Sequence, residues 1–416
     1  MNQELNQPVK TKPRFFYGYI VVVAAFIIHV VMFGPRSCFG VFFKPLVAEF
    51  GLSRALLSGV YSTSTIVQGV SGIVMGHLND RLGPRVVLTL CGFLVGLGYL
   101  LMSTTTTAWQ LYLFYSVILG IGMGGLYAPI MSTVAKWFVT RRSVMTGIVI
   151  AGDGIGGMLS PPIINWLIFT YGWRYATVII GALVLMIVII TAQFLRRDPA
   201  KMGQLPYGKI QGEKQELNIL TEGLSLKEAT HTRQFWTMFV IIFCFGFCAI
   251  STVVHIVPHA TDLGISAATA ANILATIGIS VVISSIVLGS TADRIGNRRT
   301  FVFCFILISA ALFWLLTARE VWTFYLFAVV LGIGGGGGSA LTSPLAAELF
   351  GMKSHGLIVG ISVFCQTIGG AFGSFMAGYI FDVNGSYQSI FIAFAASGVI
   401  ALILAATLRP VNKLNL

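Results

Sequence analysis

Charge is what this sequence has least of. Asp, Glu, Lys and Arg make up 10% of its 416 residues while 56% are hydrophobic; ordinary globular proteins carry about a quarter charged residues. So little polar surface cannot coat two or three water-soluble domains, and the one sustained polar stretch, 195–234, is too short to be a domain itself. Cysteine chemistry is also missing. The six cysteines (Cys38, Cys91, Cys244, Cys248, Cys304, Cys365) all fall in apolar runs and form no CxxC pair, which excludes a disulfide framework and a thiolate zinc site. No zinc spacing, HExxH, GxSxG or paired catalytic carboxylates occur, and the glycine run Gly334 to Gly338 is not followed by GK[ST]. Enzyme chemistry has no foothold here, and neither a metal nor a cofactor is expected.

What the chain does have is twelve apolar runs of about 20 residues, the length needed to cross a hydrocarbon core of roughly 30 Å. They lie at 16–46, 55–78, 84–103, 108–137, 143–166, 173–194, 235–257, 267–292, 299–317, 321–349, 355–381 and 387–408. The net charge of +12 is distributed accordingly: all Lys and Arg except Arg36, Lys44, Arg54, Arg174 and Arg319 fall at the chain ends, in the even-to-odd loops or in 195–234. That is the positive-inside pattern, with both termini cytoplasmic. The charge therefore needs no nucleic acid to explain it, and none is expected as a partner. The basic start, MNQELNQPVKTKPRFF, reads as a cytoplasmic tail rather than a cleaved signal peptide.

The sequence also repeats itself at an offset of 213 residues. KPLVAEFGLS at 44–53 matches VPHATDLGIS at 257–266, and GHLNDRLGPR at 76–85 matches GSTADRIGNR at 289–298. Gly147, Gly156, Gly157 and Gly172 pair with Gly360, Gly369, Gly370 and Gly385; GIGMGG at 120–125 recurs as GIGGGG at 332–337, one residue out of register. The fold class that follows is an all-α membrane protein of two pseudo-symmetric six-helix bundles, 1–194 and 235–416, joined by a cytoplasmic linker at 195–234. The glycine runs then read as sites of close helix packing.

The paired GxxxDRxGxR loops resemble the signature of the major facilitator superfamily. The resemblance implies a cytoplasmic latch made by Asp80, Arg81 and Arg85 in one half and Asp293, Arg294 and Arg298 in the other. Within that superfamily, YGYIVVVAAF at 17–26, GPRSCFGVFFKPL at 34–46 and WFVTRRSVMTGIVIAGDGIG at 137–156, followed by YGWR at 171–174, resemble the monocarboxylate transporters, including the bacterial branch near the oxalate/formate exchangers. In that family a basic residue of helix 1 is implicated in holding the substrate carboxylate; it maps onto Arg36. Two other family cations, in helices 8 and 11, map onto Ser285 and Ser362.

Ionisable groups within a bilayer are expensive unless paired or facing water, and so are functional candidates. Asp153 stands roughly 16 Å into helix 5, counted from Arg142 at 1.5 Å per residue, and is the one acid near mid-membrane; it is expected to carry the coupling proton, the alternative being a packing role. Its repeat partner is Gln366. Arg36, after the Gly34-Pro35 break, is expected to bind a carboxylate through its guanidinium fork, the alternative being an Arg that reaches the outer surface. Tyr127, His255 and Gln366 are further candidate substrate contacts, and His29 is a weaker one. The expected function is secondary active transport of a small organic anion with a proton by rocking of the two bundles, as a monomer among membrane lipids, in a plasma membrane of bacterial inner-membrane type. Anion exchange and facilitated passage of neutral or drug-like solutes are the alternatives; a non-transporting receptor or scaffold is a third class.

Overall fold

Residues 16–138, 142–207, 223–351 and 354–408 are described by a computed structural model. They form helices almost throughout, with no strand beyond the isolated bridges Phe138–Tyr207 and Gly223–Gly351. The first bundle contains α1 (Gly18–Phe50), α2 (Arg54–Leu82), α3 (Pro84–Met102), α4 (108–137), α5 (142–171) and α6 (173–192). The second contains α7 (Arg233–Asp262), α8 (Ala267–Ile295), α9 (Asn297–Thr317), α10 (Val321–Phe350), α11 (His355–Asn384) and α12 (Gln388–Thr407). Helices α5 and α6 run together and are separated by Gly172, whose backbone (φ 81°, ψ 160°) breaks the helix. Helix α2 is less apolar than its neighbours because it carries Ser58, Ser62, Ser64, Thr65 and Ser71, all buried. With an even number of spans both described chain ends lie at one end of the molecule, called proximal below; the other is distal.

The repeat is carried down to backbone angles. Helices α2 and α8 are both 29 residues long and start and stop 213 residues apart. Their N-caps, Ser53 and Ser266, accept from Leu56 N and Thr269 N, and both helices end at a glycine with positive φ, Gly83 (85°) and Gly296 (95°). The single register slip also has a cause. Helices α4 and α10 begin at Ala108 and Val321, 213 apart, but their glycines correspond at 212, because residues Tyr112–Leu119 form a π-helix. A π-turn absorbs one extra residue without breaking the helix.

Those glycines do pack closely, as their spacing predicts. A Cβ at Gly122 would lie 2.7 Å from Cys91 O on α3, and one at Gly334 would lie 2.8 Å from Cys304 O on α9; Cys91 and Cys304 are themselves repeat partners. Between the bundles, α2 lies along α11 and α5 along α8, the latter where Gly278 faces Gly157 and Met158 backbone at 2.6 Å from an added Cβ. The linker ends are each docked on their own bundle. Tyr207 N donates to Trp137 O at 2.9 Å, and Leu224 N to Phe350 O at 2.8 Å.

The glycine run of α10 gives a test. A methyl at Gly336 would strike Ser284 Oγ and lie 2.7 Å from Val281 O, whereas one at Gly335 meets nothing within 4 Å. Gly336→Ala is expected to lower stability by about 1–3 kcal/mol through overpacking. Gly335→Ala is expected to be neutral or to gain up to ~1 kcal/mol of helix propensity. Thermal melting of the two detergent-purified variants checks the contrast, and equal effects would contradict the packing described.

Candidate functional site

The site begins with the AGDGIGG run of α5. Gly152 and Gly156 face α1: an added Cβ at Gly152 would lie 2.8 Å from Phe26 O, and one at Gly156 would lie 2.6 Å from Val30 O. Gly154 faces α8, where Gly278 O would be 3.2 Å away. Between these small residues Asp153 is turned into the first bundle, 8% exposed. Its Oδ1 lies 2.7 Å from Nδ1 of the fully buried His29 on α1, and its Oδ2 accepts the Tyr127 hydroxyl of α4 at 2.6 Å. Both carboxylate oxygens are thus engaged, while His29 Nε2 is buried with no partner among the described residues. The His29 and Tyr127 rings meet edge to face, centroids 5.4 Å apart.

Arg36 is the second element. It is 5% exposed, so it does not reach for the surface. Nη1 donates to Ser64 Oγ at 3.0 Å and Nη2 to Thr65 Oγ1 at 2.9 Å, both on α2, and the guanidinium lies 5.2 Å from the Tyr61 ring centroid. Two neutral hydroxyls satisfy only part of its five donors, and among the described residues it has no carboxylate partner. The hydroxyls of Tyr99 and Tyr115 are buried without partners and lie within electrostatic reach of Arg36, as does Tyr127. A buried cation without a counter-charge costs several kcal/mol, which makes this guanidinium a candidate for pairing with an anion.

The third element closes the distal end. Arg54, at the start of α2, binds Asp262 of α7 through both terminal nitrogens (2.6 and 3.0 Å), and Lys44 adds a contact of 3.1 Å. Asp382 of α11 caps α2 from the other bundle, accepting Arg54 N at 2.9 Å and Ala55 N at 2.7 Å, as an acid at a helix N-terminus should. The Arg54 guanidinium also lies 3.6 Å from the Phe381 ring centroid and donates to Tyr387 Oη at 3.0 Å. His255 sits directly beneath. Its Nε2 is 2.9 Å from Ser374 O, which can only accept, so Nε2 carries the hydrogen and Nδ1 is free to accept from Tyr387 at 3.2 Å. Among the described residues every hydrogen bond or ion pair between the bundles lies from Ser62 outward.

The candidates read from the sequence therefore separate. Asp153 and Tyr127 are brought together, while the contacts of Arg36 are with Ser64, Thr65 and Tyr61 of α2. His255 belongs to the distal closure, not to this group. Gln366 stands on α11 in the second bundle, half-buried. Ser285 and Ser362 donate to Val282 O and Ile358 O of their own helices. Of the latch, the side chains of Asp80 and Asp293 lie outside the described residues. Arg81 and Arg294 are exposed, Arg298 donates to Ala406 O, and Arg85 is half-buried at the proximal end. His29 is the partner that the sequence ranked low. Its signal was the pairing of a helix 1 histidine with the glycine-flanked acid of helix 5.

The family model of the Major Facilitator Superfamily matches residues 25–259 and 251–415. Monocarboxylate transporter 13 of Rattus norvegicus is 28% identical over 395 residues, covering 92% of this chain and 88% of that protein. The oxalate:formate antiporter of Oxalobacter formigenes is 26% identical over 419 residues, covering 96% and 94%. Among solved structures, a bacterial homologue of the human lysosomal transporter Spinster, in an inward-facing, unoccupied conformation, superposes with a TM-score of 0.71 at 17% identity, covering 95% of this chain and 96% of that one.

The distal closure makes a prediction of its own. Hydrogen bonds to charged groups contribute about 1.5–3 kcal/mol each, so Asp262→Asn is expected to speed labelling of a cysteine introduced at Ser62 from the distal side by roughly tenfold or more. An unchanged labelling rate would show that this ion pair does not hold the bundles together.

Proposed function

The chain belongs to the major facilitator superfamily and is a transporter, and from that premise we propose that it carries a small monocarboxylate-like anion together with one proton. The observation that carries this reading is a pair of buried ionisable groups in one bundle: Arg36, with no carboxylate partner among the described residues, and Asp153, hydrogen-bonded to His29 and Tyr127. In the empty site the cation and the deprotonated Asp153–His29 pair balance. When an anion binds Arg36, balance is restored only if the pair takes up a proton. Burial penalises any net charge left behind, so anion and proton are favoured together, which is coupling by linkage without direct contact.

The names of the relatives support an organic anion. A single buried cation, with Ser285 and Ser362 bonded to their own helices, favours a monoanion over the dianion an oxalate exchanger takes. In this reading 1–194 and 235–416 rock about the central site, with 195–234 as the joint, and the latch residues Asp80, Arg81, Arg85, Asp293, Arg294 and Arg298 hold the cytoplasmic side when the distal side opens. One chain encloses the whole site, so a monomer suffices. The positive-inside pattern supports both termini in the cytoplasm of a bacterial inner membrane, which makes the distal closure periplasmic.

Two variants test the reading. Arg36→Ala is expected to weaken anion binding by roughly 30-fold or more, since truncating one partner of a buried charge pair costs about 2–5 kcal/mol, with Arg36→Lys retaining part of it. Binding titrations on folded, purified protein decide, and unchanged affinity in the Ala variant would remove Arg36 from the site. Asp153→Asn is expected to keep substrate exchange across liposomes yet fail to concentrate substrate under an imposed proton gradient. Full gradient-driven accumulation by that variant would reduce Asp153 to a packing residue.

A further inference from the structure

A cavity of about 590 Å³ opens at the proximal end of the first bundle, between the α2–α3 turn and the segment that follows α6. Arg81, Arg85, Arg196 and Arg197 line it, against one lining carboxylate, Asp198. The Nε and Nη2 of Arg85 are buried with no hydrogen-bond partner. The turn and the segment abut: a Cβ on Gly83 would lie 3.7 Å from Arg197 Cδ. Trp137 Nε1 fixes the same segment by donating to Arg196 O at 2.7 Å, and Tyr17 donates to Phe194 O at 3.0 Å. The cavity is not purely polar, because Leu82, Val86 and Met202 line it and are exposed. From Val86 an apolar face continues along α3 through Leu90 and Phe93, also exposed.

We propose that this cavity binds the phosphodiester headgroup of an anionic phospholipid, its acyl chains lying along the exposed face of α3. Guanidinium forks match phosphate oxygens in pairs, and basic pockets between helices at a membrane surface select anionic headgroups. A free phosphate would use the same arginines but would leave Leu82, Val86 and Met202 unexplained, so the lipid is the occupant the geometry favours.

The test uses the full chain purified in detergent, titrated with phosphatidylglycerol, phosphatidylcholine and inorganic phosphate, reading lipid affinity by native mass spectrometry and melting temperature alongside. Phosphatidylglycerol is expected to bind and raise the melting temperature, and the other two not. In Arg196→Gln/Arg197→Gln its affinity is expected to fall roughly 30-fold, with melting in phosphatidylcholine unchanged; Arg196→Lys/Arg197→Lys is expected to retain part of the affinity. Equal affinity of wild type for the two lipids would overturn the site. So would equal phosphatidylglycerol affinity in the glutamine variant, or equal stabilisation by inorganic phosphate, which would make it a free-anion site. The wild-type comparison decides even if the glutamine variant does not fold.

Discussion

Where α1 crosses α5 the two backbones touch: an added Cβ at Gly34 would lie 2.9 Å from Gly156 O, and one at Gly152 would lie 2.9 Å from His29 Cβ. The rest of the central site depends on this approach. No side chain longer than hydrogen fits there, so the helices come close enough for a histidine on one and an aspartate on the other to meet at hydrogen-bond distance, 2.7 Å. Without that contact Asp153 would be a lone carboxylate in hydrocarbon, which a membrane helix tolerates poorly. With it, the acid has two hydrogen-bond partners, His29 on α1 and Tyr127 on α4.

The polar groups are divided between the bundles unequally. The first holds Arg36, Asp153, His29 and Tyr127. The second offers at the same level Gln366 and serines bonded to their own helices. The second bundle contributes instead to closing the distal end, through Asp262, Asp382, Tyr387 and His255. A duplicated unit has thus kept its backbone symmetry while giving its two copies different work.

How much of this was legible in the sequence follows from which features are local. Spans, repeat and glycine packing are matters of spacing along one chain segment, and the structure carries them, including the slip in α4 that the π-helix explains. Asp153 and Arg36 stood out because charge is rare in apolar runs. Their partners did not, because which face of a helix a residue occupies relative to another helix 124 residues away is set by crossing angle and rotation, which spacing does not encode. Spacing could not show that Tyr127 and His29 both meet Asp153, or that His255 meets Tyr387 at the seam.

The linker ends carry one more consequence. Each is stitched to its own bundle, Tyr207 to Trp137 and Leu224 to Phe350, so neither bundle borrows structure from the other through the joint. The contacts between the halves among the described residues lie instead along the α2–α11 and α5–α8 faces and in the distal ion pairs, so those seams carry the energy that holds this orientation.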